Sequence, residues 1–147
     1  MLVLPLLALG QNNTEYMVFE NAMITANPAH VKQFEAGMAV HNKKYHNDET
    51  YGARVHMIGN GPNVGKYMWV MGPLPWSAFD NRPAKDGHDE DWNNNVLAYA
   101  TGDTNLTYWK FESGLSNFTK DFDVKNLQVD IYDIKRFKGE KAMEILK

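Results

Sequence analysis

The sequence predicts an α+β domain, an antiparallel sheet with helices on one face, in the order strand, helix, strand, strand, helix, strand. Three observations predict it. Extended segments that alternate or are rich in β-formers are interleaved with segments whose apolar residues recur at steps of three and four. A glycine-dense stretch, residues 59–65, joins two of the extended segments as a hairpin. The first extended segment is apolar on both sides, as befits a central strand covered on both faces.

In chain order, residues 16–25 place Met17, Phe19, Asn21 and Met23 on one face, with Tyr16, Val18, Ala22 and Ile24 on the other. Asn27 is the expected N-cap and Pro28 the first helical residue, where its missing N–H costs nothing. The helix carries one apolar stripe, Val31, Phe34, Met38, His41 and Tyr45, and is expected to end near Asn47. Residues 51–58 set Ala53, Val55 and Met57 against Arg54, His56 and Ile58, and the hairpin leads into a strand over 66–71. Gly72, Pro73 and Pro75 are expected to end that strand, because neither proline can donate to a ladder. Residues 76–79 form one helical turn and 80–90 a polar loop. Asp91 and Trp92 open a second helix with Trp92, Val96, Tyr99 and Ala100 on one side and Gly102 as its stop. A short last strand covers 106–111, followed by a connection.

From Leu127 the pattern restarts. Residues 127–134 are extended and 141–147 helical, as 16–25 and the helix after them are. Residues 16–116 thus make one complete unit and 117–126 a linker. Residues 127–147 either begin a second repeat that is truncated here or add one strand and one helix to the first unit.

With 147 residues there is material for one domain, and a net charge of −3 with no basic run longer than two residues gives no footprint for nucleic acid. The absence of cysteine excludes thiolate metal sites, disulfides and thiol nucleophiles. Residues 1–10 are apolar, too short for a membrane span of roughly 20 residues, and resemble the end of a secretory signal cleaved near Gly10-Gln11. On that reading the mature chain is exported, to the periplasm or outside the cell; the alternative is a buried first strand.

The order of the first six elements is that of a ferredoxin-like βαββαβ unit. Within it, Phe19-Glu20-Asn21-Ala22-Met23-Ile24-Thr25-Ala26, the helix opening Val31-Lys32-Gln33-Phe34 and the closing stretch from Trp109 to Ser116 resemble antibiotic-biosynthesis-monooxygenase-like domains of the dimeric α+β barrel superfamily. The resemblance spans residues 16–116. It implies that two units pair face to face to close a barrel, as a homodimer or as tandem repeats. It also implies an activity range that includes cofactor-free oxygenases, haem-degrading enzymes, haem peroxidases, lactone isomerases and proteins without assigned activity. The expected cofactor is none, with haem the lesser alternative. Haem-degrading members carry an asparagine in a Glu-Asn context like Glu20-Asn21, a tryptophan on the third strand and a histidine on the second helix. Here the third strand has Trp69, with Met71 nearer the matching position, and His88 falls just ahead of the expected helix.

The residues singled out are Asn21 and His56 as candidate catalytic groups, and Asn21, His41, Tyr67, Trp69 and Met71 as candidate ligand contacts. An amide on an apolar strand must find partners or cost about 1–3 kcal/mol, which makes Asn21 either a backbone-bonded residue or a group aimed at a ligand. His41 and His46 stand about 140° apart on a regular helix and cannot share a metal there; no metal site is expected. The acidic residues of the 80–91 loop lack calcium-loop spacing and suit a helix start. Three functions compete: a barrel protein binding a small apolar or aromatic molecule, a cofactor-independent monooxygenase-like enzyme, and an interaction module without a ligand. They separate on whether Asn21, His56 and Trp69 share one cavity.

Overall fold

The computed structural model describes residues 15–82, 86–117 and 125–147. The apolar N-terminal stretch and most of the linker lie outside the described residues. The four strands are β1 (Met17–Ala26), β2 (Ala53–Met57), β3 (Tyr67–Pro75) and β4 (Ala100–Lys110). They form one antiparallel sheet in the order β2-β3-β1-β4, which puts the doubly apolar first strand in the interior. Helices α1 (Val31–Tyr45) and α2 (His88–Asn95) cover one face, giving the α+β arrangement expected.

The core lies between that face and α1. Phe34, Met38, His41 and Tyr45 are buried along the helix, and Ala22, Ile24, Tyr67, Trp69 and Met71 meet them from the sheet. Burying side chains of this size contributes roughly 1.5–3 kcal/mol each, so this face dominates the stability of the domain. The helices approach closely because residue 37 is glycine. A Cβ there would collide with the Asn95 carbonyl oxygen of α2.

Four expectations are corrected. Asn27 caps a turn rather than the helix: its Oδ1 accepts from the Ala29 N–H at 3.0 Å, and α1 starts at Val31 behind His30. β3 continues through Pro73 and Pro75. β2 pairs only as far as Met71, so beyond it β3 is an edge on that side, and the register against β1 shifts between Val18 and Glu20. Edges and bulges are where a strand tolerates proline. α2 begins at His88, three residues early, because Gly87 takes a left-handed conformation (φ 77°) that turns the chain, with Asp89, Glu90 and Asp91 in the first helical turn. Gly102 does not stop a helix. It sits inside β4 with φ 70°, where the pairing to β1 shifts register between Met23 and Thr25.

Past the linker, α3 (Gly139–Leu146) forms as expected, but residues 127–134 are irregular rather than a strand. Their N-terminal part borders cavities on the open sheet face instead of lying along a sheet edge, so no ladder is available to it.

Candidate functional site

The strand alternation of β1 divides the singled-out residues between two faces of the sheet. Asn21 pairs in register with Val70 of β3 and Thr107 of β4 and points away from the helices. His56 of β2 shares that open face. Together with Phe19, Met68, Val70 and Trp109 they line a cavity of about 400 Å³, bounded on its outer side by Leu127, Val129 and their neighbours. Asn21 is 3 % exposed, and neither its Oδ1 nor its Nδ2 has a hydrogen-bond partner among the described residues. An amide is a poor choice of wall for an apolar cavity unless something in the cavity bonds to it, since its desolvation goes uncompensated.

Tyr67, Trp69 and Met71 alternate to the opposite, helix-covered face. The Tyr67 hydroxyl donates to Glu35 at 2.7 Å, and burial, reinforced by that carboxylate, pushes its pKa up to about 12. The Trp69 indole N–H donates to Asn42 Oδ1 at 3.0 Å, and its ring meets Trp92 edge-on. Met71 packs in the core and edges a second cavity of about 580 Å³ on the helix side.

His41 is fully buried on this side, and sequence reasoning missed the company it keeps. Its Nδ1–H donates to Asp91 Oδ2 at 2.7 Å; burial, outweighing that bond, lowers its pKa and keeps the ring neutral. Asp91 is in turn held below the usual carboxylate range, first by His41 and then by Asn95. His46 is close by because α1 ends at Tyr45: as C-cap, His46 has φ −127° and ψ 42°, and this departure from the helix swings its ring toward His41. The early start of α2 delivers His88 to the same place. One ring nitrogen from each of the three lies within 4.8 Å of the others. The signal in the sequence was a histidine five residues after His41 and another just before an acidic helix start; what was missing was where each helix ends.

Neither a protein-family model nor a curated protein sequence matches the chain at a significant level. Solved structures do resemble it. A Caulobacter crescentus protein, a candidate antibiotic biosynthesis monooxygenase by its description, superposes with a TM-score of 0.53 at 15% identity, over 67% of this chain and 92% of its own. A Bordetella bronchiseptica protein described in the same terms gives a TM-score of 0.49 at 17% identity, over 64% of this chain and 95% of its own. The chain has the antibiotic-biosynthesis-monooxygenase-like fold. At this identity the likeness extends to the fold and not to chemistry.

Within that fold, the asparagine, tryptophan and histidine implied by haem-degrading proteins do not meet. Asn21 faces the open cavity, whereas Trp69 and His88 lie on the helix side. The residues present therefore do not make one haem pocket of that type. Asn21 and His56 line one cavity; His41, Tyr67, Trp69 and Met71 belong to the other face. No helix among the described residues is long and apolar enough to cross a membrane.

Proposed function

We propose that this chain is an exported α+β barrel unit whose open sheet face binds a small, largely apolar molecule that carries a hydrogen-bonding oxygen. The observation that carries this reading is the Asn21 amide, buried and without a partner among the described residues at the wall of a largely apolar cavity. A ligand carbonyl would accept from its Nδ2, and a ligand hydroxyl would donate to its Oδ1. The cavity is completed by a second unit, a second copy of the chain or a following repeat. In support of that, Trp109 and the apolar residues Leu127 and Val129, which line it, remain well exposed. No cofactor is required for binding. Export rests on the apolar stretch before Gln11.

A second reading, conversion of the bound molecule by a cofactor-independent monooxygenase-like route, is favoured by one observation: His56 lines the same cavity as Asn21, so a base and an amide face one space.

The test compares 1,4-naphthoquinone with naphthalene, followed by tryptophan fluorescence; the chain has no cysteine for the quinone to alkylate. Wild type is expected to bind the quinone roughly 10-fold tighter, the worth of one hydrogen bond, and Asn21→Leu to bind the two alike. An unchanged ratio in Asn21→Leu, or no binding of either probe, would overturn the reading.

A further inference from the structure

The histidine cluster between the end of α1 and the start of α2 lies on the other side of the sheet from the Asn21 cavity and carries an inference of its own. Each ring is oriented through Nδ1. His41 Nδ1 faces Asp91 Oδ2 at 2.7 Å, His46 Nδ1 faces the Tyr51 carbonyl oxygen at 3.0 Å, and His88 Nδ1 faces Asp89 Oδ1 at 2.8 Å. All three partners are oxygens that only accept, so every Nδ1 must carry the proton. In a neutral ring the other nitrogen, Nε2, then holds a bare lone pair. His46 Nε2 and His88 Nε2 nevertheless stand 3.1 Å apart, and His41 Nε2 is buried without a partner among the described residues. Two lone pairs at that distance repel unless a cation lies between the rings.

We propose that His41, His46 and His88 bind one divalent first-row metal ion, Zn²⁺ foremost, through their Nε2 atoms, leaving one coordination position open to the adjoining cavity. Ring spacing agrees with this. The ring centres of His41–His46, His41–His88 and His46–His88 are 5.3, 4.9 and 5.2 Å apart. With a metal–nitrogen bond of about 2.1 Å and about 1.1 Å more to each ring centre, tetrahedral coordination separates ring centres by about 5.2 Å. One nitrogen of each ring lies within 4.8 Å of the others, with His46 Nε2 and His88 Nε2 at 3.1 Å, and coordination through Nε2 sets the ligating nitrogens about 3.4 Å apart by swings of the rings.

The surroundings match the same purpose. A carboxylate or backbone carbonyl behind each ligating imidazole fixes its tautomer and raises its basicity, which is the usual arrangement around metal-bound histidine. Three protein ligands rather than four leave a site open for chemistry. The cavity of about 580 Å³ beside it is lined by His46, His88 and Tyr51, by the carboxylates of Asp86, Asp89 and Glu90, and by Arg82, which is paired with Glu20. With the metal bound, water would take the open position and give way there to a ligand oxygen.

The test is calorimetric titration of the chelator-treated chain with Zn²⁺, repeated with Co²⁺ to read the d–d absorption of a tetrahedral site. One ion per chain is expected. His88→Ala, at a partly exposed position outside the core, is expected to lose more affinity than Asp91→Asn, whose loss should be roughly 10–100-fold. His30→Ala, at the opposite end of α1, should bind as wild type. His41→Ala removes a fully buried ring, so circular dichroism must establish its fold, and the His88 variant carries the result if it does not. Absence of saturable binding, more than one equivalent with no tetrahedral Co²⁺ band, or wild-type affinity in His88→Ala would each overturn the proposal; the rings would then be held by a shared proton. Quinone binding at Asn21 is a separate measurement, and either result stands without the other.

Discussion

Trp69 and Trp109 stand on the two strands that flank β1, on opposite faces of one sheet. Trp69 is 5 % exposed, donates its N–H to Asn42 and lies against Trp92; Trp109 is 38 % exposed at the rim of a cavity. On the helix side most polar groups of the core residues are matched, Tyr67 to Glu35, Trp69 to Asn42, His41 Nδ1 to Asp91 and Glu20 to Arg82, with His41 Nε2 the exception among the described residues. On the open side the Asn21 amide is buried and, among the described residues, unmatched. Helices α1 and α2 complete the first face from within the unit, whereas among the described residues the second face has irregular chain near residues 127–131 against it. Apart from the histidine cluster at its edge, the first face is built to hold the fold together and the second to receive something.

This contrast can be broken most sharply at the core. Phe34→Ala removes a ring with no exposure from the helix side and is expected to cost about 3–5 kcal/mol in denaturant unfolding. Trp109→Ala on the open side should cost well under half of that; equal losses would mean that the open face is a second core. Gly37→Ala comes next. Helix propensity alone would favour alanine by about 1 kcal/mol, but collision with the Asn95 carbonyl must push α2 outward, so a net loss of about 1–3 kcal/mol is expected. A gain in stability would show that α2 yields freely.

Asn21→Leu reverses the usual sign. Replacing an unmatched buried amide with an apolar side chain of similar size should stabilise the isolated chain by about 1–2 kcal/mol in the same unfolding measurement, at the expense of ligand discrimination. Destabilisation would place Asn21 among the matched groups and remove the contrast.

The smallest effect is confined to alkali. Tyr67 ionises at about 12 in the folded chain against 10 when unfolded, so the stability it contributes is fully present below pH 10 and lost as pH rises through 12. Tyrosinate absorbance should show one residue ionising late, and Tyr67→Phe should remove both that step and its share of the alkaline loss. A titration in which all tyrosines ionise near 10 would mean that the helix-side face is wetter than its burial indicates.

Element by element, what could be read in advance tracked local physics. The stripe from Phe34 to Tyr45, the two-faced β1 and the hairpin at 59–65 are properties of spacing and turn chemistry, and they hold in the fold. The prolines of β3 misled because their tolerance depends on where β2 stops pairing. Gly102 misled because a left-handed glycine serves a β-bulge as well as a helix end. Asn21 and His56 could be placed on a strand face, but not in a common cavity, since that needs the register between strands. The histidine cluster was least legible: the 140° separation of His41 and His46 is correct for a continuing helix, and only its termination at Tyr45 and the start of α2 at His88 cancel it.

By itself, the sequence determined the fold class, the central position of β1 and the face on which each strand residue stands, because two-residue and 3.6-residue periodicities are set by backbone geometry alone. Tertiary structure decided which faces meet what. The convergence of three histidines from the two helix termini, and the isolation of the Asn21 amide, depend on packing distances between segments about fifty residues apart. Those distances follow from the summed burial of the core, and no local pattern encodes them.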